Sequence, residues 1–366
     1  MPQASKPTKR IKRWTGWLLA VGLLAAGQAA AQRVEGDTAQ AQGMYEAEVR
    51  VNGQREAERK AGFSRALAQV LAKLSGDRTA ASRPGVAQEL RRAGDYVEGY
   101  DYRQDEGVSA SGAPSFETTL VVRFDEDAVD AVAAALGLPI WPEPRPKPVL
   151  WLAIDDGKGA RLVNLNQNNV VRPILSRAQQ RGYRLGLPRG SAAEQAAVGA
   201  IWRGDSGAVA RLSARYSPPM QLIGKLYRAD GGWKADWTFV DNGRVLSQWS
   251  SEDANARIAM AAGADGAADA LVERYARASE AGPTGSYRVA FVGIGSSDDF
   301  IRLSGHLQGL SVVRRITPVR ATADGVEFEL ELLTGLPGFR RLVDERVLME
   351  VEAPLQTGTP VFRLVR

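Results

Sequence analysis

A run of prolines limits the possible folds of this sequence more than any other feature. Residues 138–148 hold five prolines in eleven positions. Proline fixes its own φ, lacks a backbone N–H group and disfavours helical geometry in the residue before it. Neither a helix nor a central strand is expected to cross this segment. We therefore interpret residues 138–148 as a stiff Pro-rich linker and as the main domain boundary of a 366-residue chain.

The residues before this linker, 43–137, predict a small α+β domain. Apolar and polar residues alternate over 45–51 and again over 116–124, which is the pattern of half-buried strands. Between them lies an amphipathic helix that ends at Gly76, and Asp125 begins a closing helix that stops at Gly137. The apolar face of the first helix consists of Phe63, Ala66, Leu67, Val70, Leu71 and Leu74.

After the linker, residues 149–280 predict an α/β sandwich that contains an antiparallel meander. Val149–Ile154 is an apolar run with the length of a buried strand, and helical segments follow it. Gly231-Gly232 and Asn242-Gly243 are turn sequences that join antiparallel neighbours. The three strands that they connect are predicted at Met220–Arg228, Trp233–Val240 and Arg244–Ser250.

The last part, residues 286–366, has the element order βαββαβ followed by one more strand. This order predicts a ferredoxin-like domain. The complete fold is therefore expected to be α+β or α/β, with three small domains.

The first 31 residues predict a signal peptide. Five basic residues precede Trp14–Gly27, an uncharged run rich in leucine and alanine, and Ala29–Ala31 supply the small side chains of a cleavage site. We expect export to the periplasm of a bacterium, cleavage after Ala31, and no stable membrane span afterwards. The alternative is that this segment stays attached as a membrane anchor.

Charge and cysteine content exclude several classes of function. The predicted signal peptide carries five of the 47 basic residues and none of the 42 acidic ones, so the remaining chain has no net formal charge. Nucleic-acid binding is not expected, because it requires an excess of basic residues. The absence of cysteine excludes disulfides, thiolate nucleophiles and cysteine-based metal sites.

Several segments resemble a known family. They are Met44–Val49, Arg65–Leu67, Leu74–Asp77, Trp151–Gly157, Leu222–Gly224 and Trp233–Trp237. Together they are similar to the proteobacterial exported family catalogued as domain of unknown function 2066. The resemblance implies an envelope protein without an assigned reaction, and it transfers no site residues.

Asp155 and Asp156 are the candidate metal ligands. They follow the first strand of the middle region, at the edge where open α/β sheets often bind ligands, and two carboxylates beside Gly157 are suited to Ca²⁺ or Mg²⁺. The alternative is a solvated turn in which both side chains bond to local amides.

Trp233, Trp237 and Trp249 are the candidate ligand-binding residues. The first two lie on one face of a predicted strand and the third lies on its neighbour. Such a row could stack on cell-wall glycan or form the core beneath the helices.

We find no catalytic set and expect no cofactor. The preferred prediction is a non-catalytic periplasmic interaction or assembly protein whose partners are other envelope proteins. The alternative is a protein that binds glycan or peptidoglycan, or a metal-dependent enzyme that uses the Asp155–Asp156 edge.

Overall fold

The computed structural model describes residues 38–39, 43–108, 114–216, 220–279, 281–322, 325–352 and 358–365. The expected signal peptide and its cleavage site after Ala31 lie outside these ranges. Helices and strands both occur throughout the described chain, which confirms the predicted mixed α+β class.

The helices are α1 Glu56–Ser75, α2 Val86–Arg91, α3 Glu126–Ala135, α4 Asn168–Gln180, α5 Ala192–Gln195, α6 Ala197–Arg203, α7 Ser206–Ser213, α8 Ala256–Tyr275, α9 Ser297–Gly309 and α10 Gly335–Leu342. The strands are β1 Thr38–Ala39, β2 Glu46–Val51, β3 Val97–Val108, β4 Pro114–Phe124, β5 Arg145–Pro146, β6 Val149–Asp155, β7 Arg161–Leu162, β8 Met220–Ala229, β9 Gly232–Asp241, β10 Arg244–Asp253, β11 Gly285–Val292, β12 Val313–Thr322, β13 Gly325–Leu332, β14 Leu348–Val351 and β15 Val361–Leu364.

The N-terminal sheet has the antiparallel order β2-β4-β3, with α1 packed on one face. The predicted apolar stripe of α1 is buried, apart from Leu74, which is partly buried. The sequence-based assignment missed β3. Its apolar alternation is limited to Tyr100 and Tyr102 between charged residues, and Gly99 and Gly107 interrupt it.

The free edge of β2 is covered by two cations from α1. Lys73 Nζ donates to the carbonyl oxygens of Gly43 at 2.9 Å and Glu46 at 2.5 Å, and Arg65 Nη2 donates to that of Arg50 at 2.7 Å. These bonds occupy carbonyl groups that could otherwise pair with another strand. Burial lowers the pKa of the Lys73 amine to about 8.

The middle sheet has the order β10-β9-β8-β6-β7, in which β6 and β8 are parallel and the other pairs are antiparallel. Helices α4 and α8 pack on one face, and α6 and α7 cover part of the other. In the β9–β10 turn, Asn242 and Gly243 have φ values of 49° and 77°. A tight two-residue hairpin requires this left-handed geometry, which is why the sequence pattern located the turn.

The C-terminal sheet has the order β12-β13-β11-β15-β14. Strand β15 is parallel to β11 and separates it from β14. Phe300 of α9 contacts Phe328, Phe339 of α10 contacts Phe362, and Phe291 contacts both strand rings. Both helices therefore lie on one face, and no helix or strand of the described ranges covers the opposite face, which we call the open face.

The Pro-rich segment packs against the helices that cover the middle sheet. Trp141 is 1% exposed and belongs to the apolar core around α4 and α8. The Arg145 guanidinium lies 4.1 Å from the Trp141 ring centroid and donates to the carbonyl oxygens of Trp141 and Gly182, each at 2.7 Å. These contacts hold residues 138–148 against their neighbours. The predicted domain limits stay a prediction.

Contacts also join the N-terminal and C-terminal sheets. Helix α3 packs on α10, and Thr334 Oγ1 donates to the carbonyl oxygen of Ala135 at 2.5 Å. The apolar residues on the covered faces of both sheets form one continuous cluster. The N-terminal and C-terminal sheets thus share one apolar core.

Candidate functional site

A cleft of about 350 Å³ lies on the middle sheet, on the face opposite α8. We call it the sheet-face cleft; its side chains come from Ile201, Ser206, Lys225, Asp236, Thr238, Gln248 and Ser250. Strand alternation creates it. Ala235, Trp237 and Phe239 of β9 point into the core beneath α8, so Asp236 and Thr238 face the cleft.

Asp236 is the centre of a polar network in the cleft. Its carboxylate accepts hydrogen bonds from Ser250 Oγ at 2.7 Å and Tyr227 Oη at 3.0 Å, and it pairs with Lys225 Nζ at 3.3 Å. Partial burial raises the pKa of Asp236, but the three donors outweigh it and bring the pKa below its usual value. Asp236 is therefore ionised at neutral pH.

The second wall of the cleft is the junction of α6 and α7. Gly204 ends α6 with a φ of 73°, and Asp205 caps α7 by accepting from the Ala208 amide at 2.9 Å. This junction places Ile201 and Ser206 across from the sheet. Trp202 beside them contacts Tyr227 edge to face, with ring centroids 6.2 Å apart.

The chemistry of the cleft suits binding. Hydroxyl, amide, ammonium and carboxylate groups offer donors and acceptors, and Gln248 Nε2 already donates to Thr238 Oγ1 at 3.2 Å. Asp236 is a weak base because its charged form is stabilised by three donors. The chain contains no cysteine and a single histidine, His306 on α9 of the C-terminal sheet.

A larger depression of about 710 Å³ lies between β2, α3 and the Pro-rich segment. There Tyr45 Oη donates to Asp130 Oδ1 at 2.9 Å. Burial and this bond raise the pKa of Tyr45. The nearby carboxylates of Glu98 and Glu126 are exposed. We consider the sheet-face cleft the better candidate site because its polar groups are held in a network.

Asp155 and Asp156 form a local turn at the end of β6. Asp155 Oδ1 accepts from the amides of Gly157 at 2.8 Å and Gly159 at 3.2 Å. Asp156 is held by both terminal nitrogens of Arg161, at 3.2 and 2.7 Å. This geometry favours the solvated-turn interpretation. Among the described residues, no group of three or more His, Cys, Asp or Glu side chains is arranged to hold a metal ion.

We predict that replacing both aspartates by asparagine leaves the response to metal ions unchanged. Millimolar CaCl₂ or MgCl₂ should shift the melting temperature of the wild type no more than that of Asp155→Asn/Asp156→Asn, because the turn amides and Arg161 already occupy the carboxylates. Differential scanning fluorimetry measures this. A rise of several degrees confined to the wild type would restore the metal-site hypothesis.

Acid titration of the single variant Asp156→Asn gives a second readout. The hydrogen bond from Arg161 lowers the pKa of Asp156 to about 2. A depressed carboxylate pKa stabilises the fold above the unfolded-state value of ~3.9, and this contribution is lost as the pH falls towards 2. The difference in melting temperature between wild type and Asp156→Asn should therefore shrink across this window.

The side chains of the three candidate tryptophans pack on the α8 side of the sheet. Trp237 and Trp249 also belong to the residues that line the cleft. Trp237 is 1% exposed, whereas Trp249 and Trp233 are partly buried, and Trp233 packs under the Arg228 guanidinium at 4.3 Å. Sequence analysis missed the cleft residues of the opposite face. The available signal was the polar half of the same alternation, Lys234, Asp236 and Thr238.

Comparison with protein families gives a match over part of the chain. Residues 38–142 match the family model of a domain of unknown function, DUF8605. The resemblance to domain of unknown function 2066 is therefore wrong, since the matching model is a different one. No curated protein and no solved structure matches the chain. No helix in the described ranges is both long enough and apolar enough to cross a bilayer.

Proposed function

We propose that this protein is a non-catalytic interaction or assembly protein of the bacterial cell envelope. In this proposal it is exported to the periplasm, loses residues 1–31, and binds another envelope protein. The observation that carries the proposal is the open face of the C-terminal sheet, a broad surface that bears both signs of charge.

The proposed architecture is three small domains, at 43–137, 149–280 and 286–366, with 138–148 between the first two. The middle domain is an α/β sandwich with a β8–β10 meander. The last is ferredoxin-like. One observation supports this reading of the last domain: β11-α9-β12 brackets β13 in the order β12-β13-β11. The sheet departs from the ferredoxin-like order at its other edge, where β15 lies between β11 and β14.

The proposed docking surface is the open face of the C-terminal sheet, defined by Ser286, Arg288, Ala290, Glu327, Glu329 and Glu331. Cross-strand register places Arg288 opposite Glu329 and Ser286 opposite Glu331. Glu331 also pairs with Arg315 of β12 at 3.3 Å. A surface with interspersed positive and negative side chains favours a partner whose charges are arranged in the complementary pattern. Other partners would bring like charges together, which opposes binding.

Side-chain contacts between the three sheets support an assembly role. Arg181 connects α4 to the end of α1 and to α8, and Thr334 connects α10 to α3. A surface held in fixed orientation binds with a smaller loss of conformational entropy than a mobile one. The Asp155–Asp156 metal-enzyme alternative is the weaker proposal, since local bonds occupy both carboxylates.

The test exchanges charges on the open face. Immobilised chain 32–366 is used to capture proteins from an envelope extract of the source bacterium, and the captured protein is identified by mass spectrometry. The variant Arg288→Glu/Glu329→Arg keeps the net charge but inverts the charge pattern. Recovery of the captured protein should fall about tenfold, equivalent to ~1.4 kcal/mol of binding free energy.

The matched control is Glu48→Arg/Arg103→Glu, which inverts a cross-strand ion pair on the N-terminal sheet, where both side chains are half exposed. Recovery with this control should stay within about twofold of wild type. Equal recovery with all three proteins, or equal losses with both variants, contradicts docking through the C-terminal sheet.

A further inference from the structure

The sheet-face cleft has no role in the function proposed above, and its shape suits a small ligand. Its volume of about 350 Å³ lies in the range of small-molecule sites in proteins. The sheet forms one wall and the α6–α7 junction forms the other. Both walls are built on regular elements, so the polar groups hold their positions without a ligand.

The charges within the cleft cancel. Lys225 and Asp236 pair at 3.3 Å, and the adjacent Lys234 pairs with Glu252 at 2.6 Å. A phosphate site would present uncompensated cations, and a site for a polyamine or metal ion would present uncompensated carboxylates. A neutral polar ligand matches this balance.

Hydrogen-bonding groups line both walls of the cleft. Thr238, Gln248 and Ser250 belong to the sheet wall, and Ser206 faces them from α7. Gln248 is exposed, and its amide supplies a donor and an acceptor on one side chain. Paired donors and acceptors of this kind fit a ligand that carries several hydroxyl groups.

An aromatic pair lies next to these polar groups. Tyr227 contacts Trp202 and donates its hydroxyl to Asp236. Trp202 is only partly buried, and it is the chain neighbour of Ile201, which lines the cleft. Its indole offers an apolar ring face beside a hydroxyl-binding surface, a combination suited to a sugar ring with polar edges and an apolar C–H face.

We propose that the sheet-face cleft binds a neutral saccharide of about two sugar units, with Trp202 stacking on one ring and Gln248, Ser206 and Asp236 bonding to its hydroxyl groups. The side chains proposed to bind the sugar lie on the face of the sheet opposite the indoles of Trp233, Trp237 and Trp249. The cleft is also separate from the open face of the C-terminal sheet. Failure of either proposal leaves the other standing.

Isothermal titration calorimetry with chain 32–366 tests this proposal. The probes are N,N′-diacetylchitobiose, cellobiose and maltose, with inorganic phosphate and spermidine as charged comparisons. At least one disaccharide should bind with a Kd of about 1 mM or below, corresponding to ~4 kcal/mol. Neither charged probe should bind as tightly.

Two substitutions locate the binding. Trp202→Ala and Gln248→Ala should each weaken the bound disaccharide about tenfold. Gln248 is exposed, so Gln248→Ala should leave the melting temperature unchanged. A loss of affinity in this variant therefore reports on binding and not on folding. Trp233→Ala, a matched tryptophan control on the opposite face, should leave the Kd unchanged.

Three results would overturn the proposal. The first is no binding of any of the three disaccharides. The second is a Kd that Gln248→Ala and Trp202→Ala leave unaltered. The third is tighter binding of phosphate or spermidine than of every disaccharide.

Discussion

Replacing Trp237 by alanine is expected to lower the free energy of unfolding by ~3–5 kcal/mol. The indole is 1% exposed and lies against two glycines, Gly224 of β8 and Gly263 of α8. A Cβ atom added to Gly224 would lie 2.2 Å from the Trp237 ring, and one added to Gly263 would lie 2.5 Å from it. Removing the indole leaves a cavity that these backbones cannot fill. Urea unfolding followed by circular dichroism measures the change.

The control for Trp237 is another tryptophan on the same strand. Trp233 is partly buried and packs under the exposed side chain of Arg228, so Trp233→Ala should cost below about 1.5 kcal/mol. Equal costs at both positions would contradict the core position of Trp237. A stable Trp237→Ala protein that no longer sediments with peptidoglycan would favour the glycan-stacking alternative for the tryptophan row.

Hydrophobic periodicity in the sequence correctly predicted those helices and strands whose apolar residues are buried along one face. The α1 stripe from Phe63 to Leu71 and the alternation of β9 from Trp233 to Phe239 are examples. Strand β3 escaped prediction because its tyrosines are spaced among charges and glycines at a partly exposed edge. The contacts of Trp141 and Arg145 also escaped, since a proline-rich composition indicates stiffness but not what the segment packs against.

The predicted tryptophan row and the polar groups of the sheet-face cleft belong to the same sheet but to opposite faces of it. The tryptophans are easily identified in the sequence, but the glycines that pack against their rings lie in other strands and helices. Gly266 of α8 lies against Trp249 in the way that Gly263 lies against Trp237. This complementarity depends on the packing of α8 on the sheet, which no local pattern encodes. The polar partners of Asp236 come from β8 and β10, so their convergence required the strand register.

Arg181 at the end of α4 is the residue on which the packing of the N-terminal and middle sheets depends most directly. Its side chain is 7% exposed. Nη1 donates to Asp265 Oδ1 at 3.0 Å, and Nη2 donates to Asp269 Oδ1 at 2.7 Å and to the carbonyl oxygen of Gly76 at 3.0 Å. Gly76 ends α1 with a φ of 71°, and a Cβ atom there would lie 2.1 Å from Val272 of α8. One guanidinium therefore joins three helices.

Arg181→Ala is expected to lower the free energy of unfolding by ~2–4 kcal/mol, because it leaves the Gly76 carbonyl and two carboxylates without their buried donor. The matched control is Arg78→Ala. Arg78 also pairs with Asp269, at 3.1 Å, but its side chain is 59% exposed, and water replaces an exposed partner at a cost of at most ~1 kcal/mol.

Limited proteolysis adds a readout specific to the packing of the two sheets. Loosened contacts should expose the Pro-rich segment to cleavage in Arg181→Ala and leave Arg78→Ala as resistant as the wild type. Equal stability and equal resistance in both variants would show that Arg181 does not hold the two sheets together.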